Sequence, residues 1–312
     1  MISTHMYQTK ITKPNNIHNA FYFWIGLCLL FLNKIRHAIS GYTTPRNFPV
    51  TEFQKAIEYD LNTVVKWQKF LHDYSSGKSS LKDKTILELG PGADLGVGII
   101  TLMHGAKKYN ALDINNLVQS VPKQFYQKLF DLIETIPDKK NNIDFLRSQL
   151  EQFNLGQNDQ LNYICNDNFD LSVFNKEEID LVVSQAAFEH FDDIGQTISS
   201  LSKIVSPGTV FIAEVDLKTH TRWIREQDPL NIYRYSNFIY NLFHFLGSPN
   251  RVRPYEYRNI LEKNGWKNIQ IMPLDALEQN YLVKIQPTLS NRFKDKANQM
   301  DYLSVVICAE KE

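Results

Sequence analysis

Residues 85–98 read Thr-Ile-Leu-Glu-Leu-Gly-Pro-Gly-Ala-Asp-Leu-Gly-Val-Gly. An apolar run enters a glycine turn and a second apolar run leaves it. Gly90 and Gly92 permit backbone conformations and close approaches that a Cβ would block. The helix expected after them opens with unpaired N–H groups. Asp113 follows Gly92 by 21 residues and ends the stretch Tyr-Asn-Ala-Leu-Asp. An acid at that distance is placed to accept hydrogen bonds from ribose hydroxyls. The plainer alternative is a helix N-cap. Farther on, Asp216-Leu-Lys-Thr-His220-Thr-Arg222-Trp223-Ile-Arg225 gathers groups able to bind anions or move protons. Glu189-His190 forms a second such pair.

These residues need a frame. From Lys84 onward short apolar runs alternate with helical stretches. Strands are expected at 85–89, 108–112, 161–165, 179–184 and 209–215, with helices at 95–104, 125–135, 143–153 and 194–204. A helix at 255–263 and strands at 269–272 and 303–309 close the chain. That alternation implies a mostly parallel sheet covered by helices on both faces. Thr51 through Tyr74 repeats apolar residues at three- and four-residue steps and is expected to be helical. Ser75–Ser80 reads as a linker, so residues 1–80 form an N-terminal segment and 81–312 the main domain, with a lid over 217–258.

The chain has 312 residues, 34 Lys+Arg and 34 Asp+Glu, and 43% hydrophobic residues. That composition excludes a disordered or fibrous chain. The balanced charge argues against nucleic acid as a partner. Cys28, Cys165 and Cys308 are far apart, with no Cys-x-x-Cys and no spacing that reads as a metal site. Each reads as a buried small apolar residue, and a reducing cytoplasm suits them.

Glu88-Leu-Gly90-Pro-Gly92 with Asp113 resembles the class I S-adenosylmethionine-dependent methyltransferases. Cys165-Asn-Asp167-Asn-Phe169, Ile179 through Asp193, and Leu201-Ser-Lys-Ile-Val-Ser-Pro-Gly208 resemble later segments of that family in the same order. The resemblance covers residues 81–216 closely and 254–312 loosely. One departure is Asp94, where the family's third glycine is usual. The resemblance implies an α/β Rossmann-like sheet of seven strands, ordered 3-2-1-4-5-7-6 with the last antiparallel. It implies S-adenosyl-L-methionine as cofactor. Glu88, Gly90 and Gly92 would line its methionine moiety, Asp113 its ribose, and Asp167 and Phe169 its adenine. Gln185 would lie beside the sulfonium. A carboxylate at Glu88 attracts an ammonium and repels a pyrophosphate, which separates this loop from nicotinamide-binding ones.

Methylation of a hydroxyl needs a base for its proton. His220 is the first candidate, with Asp216 to orient it, and His190 with Glu189 is the rival. The third option uses no base and relies on proximity. The lid is rich in arginine and aromatic side chains. Arg222, Arg225, Trp223 and Tyr233 are therefore expected to bind the acceptor, a small molecule or an anionic glycoconjugate. The plain reading makes the lid aromatics core and its arginines solvated. A different class of function is a non-catalytic cofactor-binding or membrane-associated scaffold. Residues 1–19 read as a frayed tail. Ala20 to Leu32 is an apolar block too short to span a bilayer. It reads as a helix docked on the protein, or as an interfacial helix giving residues 20–39 a peripheral membrane contact.

Overall fold

The computed structural model describes residues 7–11, 15–41, 49–137 and 142–312. In its first part, β1 (Tyr7–Thr9) is followed by α1 (Asn16–Ser40) and α2 (Phe53–Tyr74). The central part alternates β2 (Thr85–Leu89), α3 (Gly96–Met103), β3 (Lys108–Asp113), α4 (Lys123–Glu134), α5 (Ile143–Asn154), β4 (Leu161–Cys165), β5 (Leu181–Gln185), α6 (Ile194–Ile204) and β6 (Val210–Asp216). The last part holds α7 (Arg222–Gln227), α8 (Asn237–Phe243), α9 (Pro254–Lys263), β7 (Trp266–Leu277), α10 (Gln279–Ile285) and β8 (Tyr302–Lys311).

The strands form one sheet in the order β1-β7-β8-β6-β5-β2-β3-β4. β4, β3, β2, β5 and β6 are parallel, and β8 runs antiparallel to both β6 and β7. All five residues of β2 are buried, as a strand covered on both faces requires. Successive strands lie on opposite sides of β2: β3 on one, β5 on the other. The carboxyl end of β2 is therefore the switch point where ligands of open α/β sheets bind.

The seven-stranded expectation is corrected by one strand. Tyr7–Thr9 pairs in parallel with Asp275–Leu277, and Thr9 Oγ1 donates to Asp275 Oδ1 at 2.6 Å. The supposed frayed tail thus contributes an edge strand, and residues 16–19 begin a helix.

α2 does not stand apart from the main domain. Its Phe53, Ile57, Val64, Trp67, Phe70 and Leu71 are buried in the core that also holds Ile99, Ile100 and Leu102 of α3. Each such side chain contributes roughly 1.5–3 kcal/mol by leaving water.

α1 docks on the lid along one stripe. Gly26 faces Asn231 so closely that a Cβ would meet Asn231 Oδ1 at 2.1 Å. Asn231 Nδ2 donates to Tyr22 O at 2.9 Å, and the Tyr235 hydroxyl to Phe23 O at 2.8 Å. The opposite stripe, with Ile17, Phe21, Trp24, Phe31, Ile35 and Ile39, is exposed. Cys28 shares it and is exposed, which corrects its expected burial; Cys308 is buried. Among the described residues no helix is long and apolar enough to cross a membrane.

Candidate active site

The carboxyl ends of β2, β3, β4 and β5 open onto a cavity of about 1100 Å³, flanked by α2, by the first turns of α6 and by Leu246 and Gly247 of the lid. Glu88, Gly90, Gly92, Asp113, Asp167, Phe169 and Gln185 all line it. Gly90 has φ 75° and donates its N–H to Leu112 O at 2.9 Å. A Cβ there would meet the Ala187 Cβ at 2.6 Å, so the position excludes a side chain twice over. Gly92 has φ 86° with open space around it; conformation alone favours glycine there.

Asp113 ends β3, and its Oδ1 accepts from the Asn115 N–H at 2.8 Å. Burial raises its carboxyl above the ordinary value. Asp94 is buried and accepts at 2.7 Å from the N–H of Gly96, the first residue of α3. The close third glycine is Gly96, where a Cβ would meet Asp60 Oδ2 at 2.0 Å. That explains how the loop tolerates an aspartate at 94.

Beneath the loop lies a nest of buried carboxyls. Glu88 is 1% exposed and takes a hydrogen bond from the Tyr109 hydroxyl. Burial, with Asp94 and Asp113 nearby, pushes its pKa up to about 8. Burial raises Asp94 to about 6, and burial beside Asp94 raises Asp60 well above the carboxylate range. Asp60 was missed in the sequence. Its signal is an acid on the apolar stripe of α2, between Ile57 and Val64. Phe169 and Ala186 both sit at positive φ, 50° and 49°, a conformation that costs a side-chain-bearing residue energy and marks a constrained site.

At the end of β5 the two rival acid–histidine pairs prove to be one cluster. His220 Nε2 lies 3.9 Å from Glu189 Oε1 and 3.9 Å from Asp216 Oδ2. The His190 and His220 rings are 4.7 Å apart. His190 lines the cavity, whereas His220 sits behind it. His190 Nδ1 is 2.6 Å from Gly247 O. Burial lowers the pKa of both imidazoles, that of His220 to about 4, and raises that of Glu189.

Three of the four expected acceptor-binding residues lie elsewhere. Tyr233 is buried in the lid, its hydroxyl donating to Leu217 O at 2.7 Å. Arg225 is paired with Asp216. Trp223 packs edge-on against Phe21, ring centroids 6.2 Å apart. Arg222 opens α7, and its side chain lies outside the described residues. Other lid arginines are structural and not solvated. Arg234 is paired with Asp228, and Arg251 and Arg253 donate to backbone carbonyls.

A family model described as a methyltransferase domain matches residues 59–271, more than half of the chain. The protein belongs to this methyltransferase family. The eight-stranded sheet of the methyltransferase is the Rossmann-like class I arrangement with one added edge strand. Solved structures similar to it include three methyltransferases. The geranyl diphosphate C-methyltransferase from Streptomyces coelicolor A3(2), solved with Mg²⁺, geranyl diphosphate and S-adenosyl-L-homocysteine, is 14% identical, with 84% of each chain covered and a TM-score of 0.45. An S-adenosylmethionine-dependent methyltransferase from Mesorhizobium loti is 12% identical, covering 80% of this chain and 100% of that one, TM-score 0.43. The CurJ carbon methyltransferase is 16% identical, TM-score 0.42; 82% of the present chain aligns, spanning 55% of that protein's chain. No curated protein sequence shows significant similarity. The family's cofactor, S-adenosylmethionine, carries a sulfonium and an ammonium. Buried acids at Glu88, Asp60, Asp94 and Asp113 suit a ligand with two positive groups, since attraction strengthens out of water.

Proposed function

We propose that this methyltransferase transfers the methyl group of S-adenosylmethionine to a hydroxyl oxygen of a small-molecule or glycoconjugate acceptor. The observation that carries the reading is His190 on the cavity wall. A carbonyl only accepts, so the contact with Gly247 O assigns the proton of His190 to Nδ1 and leaves the Nε2 lone pair free. A hydroxyl that attacks a methyl group must shed its proton, and that nitrogen accepts it. In this reading Glu88 holds the ammonium, Asp113 the ribose, Asp167 and Phe169 the adenine, and Gln185 stands at the sulfonium. The bound cofactor supplies an electrophilic methyl group. The protein's part is to position the acceptor and manage its proton.

The acceptor class includes lipid-linked glycoconjugates. The exposed stripe of α1 carries aromatic and aliphatic residues, with Arg36 exposed toward its end, the pattern of a helix lying among headgroups. Leu246, exposed at the cavity rim, follows Phe245, whose ring stacks on His37 at 4.7 Å. The test is mass analysis of products from hydroxyl, amine and carboxylate acceptors, free and lipid-linked. Methylation of amines alone would sink the oxygen assignment.

Two expectations concern the cofactor. Asp113→Ala should weaken its binding by roughly 1–3 kcal/mol, the worth of charge-assisted hydrogen bonds. Gly90→Val should weaken it at least as much, because the loop must move to relieve the Ala187 clash. Calorimetry on both variants checks this; unchanged affinity in both would remove the loop and Asp113 from the cofactor site.

The second expectation is a proton. Glu88, with a pKa of about 8 in the free protein, is mostly protonated at pH 7. An ammonium beside it favours the carboxylate. Cofactor binding should therefore release up to one proton near pH 7, and affinity should rise with pH through about 8. Binding heats in buffers of different ionisation enthalpy measure the release. Heats independent of the buffer would place the ammonium elsewhere.

A further inference from the structure

The loops after β5 and β6 bring Glu189, His190 and His220 together, and one ligand atom from each lies within 4.8 Å of the other two. Glu189 is 3% exposed, and neither of its carboxylate oxygens has a well-formed hydrogen bond among the described residues, although the backbone N–H groups of Glu189 and Asp216 lie near them. A buried carboxylate without a partner is costly unless a cation completes it or a proton neutralises it. His220 Nδ1 is also buried without a partner. His190 has the tautomer of a ligating histidine: the Nδ1 hydrogen goes to a backbone carbonyl, and Nε2 is free. The nearest cations are already matched, Arg225 by Asp216 and Lys218 by Asp275 at 3.0 Å. They leave the cluster open to a further positive charge.

We infer that Glu189, His190 and His220 bind one divalent transition-metal ion, with an open coordination position toward the cavity that His190 lines. Bonds of roughly 2.0–2.2 Å place ligand atoms no more than about 4.4 Å apart. Small side-chain rotations therefore close the site. Two imidazoles and one carboxylate suit zinc, manganese, iron, cobalt or nickel; magnesium and calcium prefer oxygen throughout. The ligands come from loops about 30 residues apart, so no sequence spacing announces them.

The inference deepens the proposed hydroxyl transfer and rests on it for the role of the open position. With the ion bound, His190 Nε2 is a ligand and no longer takes the proton, and the ion acidifies the hydroxyl in its place. At the open position the acceptor's O–H bond breaks, its oxygen bonds the ion, and the proton leaves to water. The ion then keeps the oxygen deprotonated near neutral pH.

The test uses the full-length protein, stripped with chelator and titrated with Co²⁺, Zn²⁺ or Mn²⁺ without cofactor or acceptor. The expected result is one equivalent bound, a visible Co²⁺ absorption band and a raised melting temperature. His190→Ala, His220→Ala and Glu189→Gln should each bind at least tenfold more weakly. His244→Ala, at a surface pair with Asp192, should bind like wild type. Since His190 is only part-buried, its variant keeps a readout even if Glu189→Gln folds poorly. Absence of saturable binding, or equal binding by all the variants, overturns the site. So does methyl transfer that proceeds unchanged in chelator, which leaves the reading of the reaction intact.

Discussion

His190→Ala should transfer a methyl group to a hydroxyl acceptor about 10²–10⁴-fold more slowly in a single turnover, with cofactor affinity preserved. The magnitude is that of removing a group that handles the proton of a reacting hydroxyl. The loss is expected whether His190 takes the proton itself or holds an ion that acidifies the hydroxyl. Cofactor affinity is spared because Glu88 and Asp113 lie on other strands and do not contact His190. His220→Ala should cost less in metal-free protein. Its ring stands behind His190 and off the cavity wall, which reverses the order that sequence spacing suggested. Single-turnover rates for both variants with an established acceptor decide the matter. A near-normal rate in His190→Ala would remove the cluster from the reaction.

Asp228→Ala should destabilise the protein by about 3–5 kcal/mol, the loss expected when one partner of a buried ion pair is removed. Asp228 and Arg234 have side chains 0% and 1% exposed. Arg234 Nε donates to Asp228 Oδ2 at 2.7 Å and Nη2 to Oδ1 at 3.1 Å. Nη2 also donates to Asn19 Oδ1 at 3.0 Å, and Asn231 Nδ2 to Asp228 Oδ2 at 2.9 Å. The pair therefore ties α1 to the lid. Without the carboxylate, a guanidinium stays buried with no counter-charge. The double variant Asp228→Leu/Arg234→Met should lose less than Asp228→Ala, because it strands no charge. Urea unfolding of the three proteins tests the order. A double variant less stable than Asp228→Ala would show that the pair matters through its hydrogen-bond geometry and not through its charge.

Residue order alone determined much of the sheet and the glycine turn. Both are local in origin. β2 is an apolar run opened by Thr85 and broken only by Glu88, and Gly90 ends it at a positive φ that glycine adopts without strain. Spacing placed Asp113 at the end of the next strand, and the order of strands followed from the family resemblance. What the tertiary structure decided depends on contacts between residues far apart in the chain. Tyr7–Thr9 becomes a strand only because the edge of β7 is free to pair with it. The lid arginines looked like anion binders because composition cannot distinguish an exposed guanidinium from one spent on carbonyls, as in Arg251 and Arg253. Glu189 and His190 looked like rivals of Asp216 and His220. Parallel pairing of β5 with β6 sets Gln185 opposite Glu214, so the loops that follow leave the sheet side by side. That register merges the two pairs into one cluster, and pairing between strands is information that no stretch of either carries by itself.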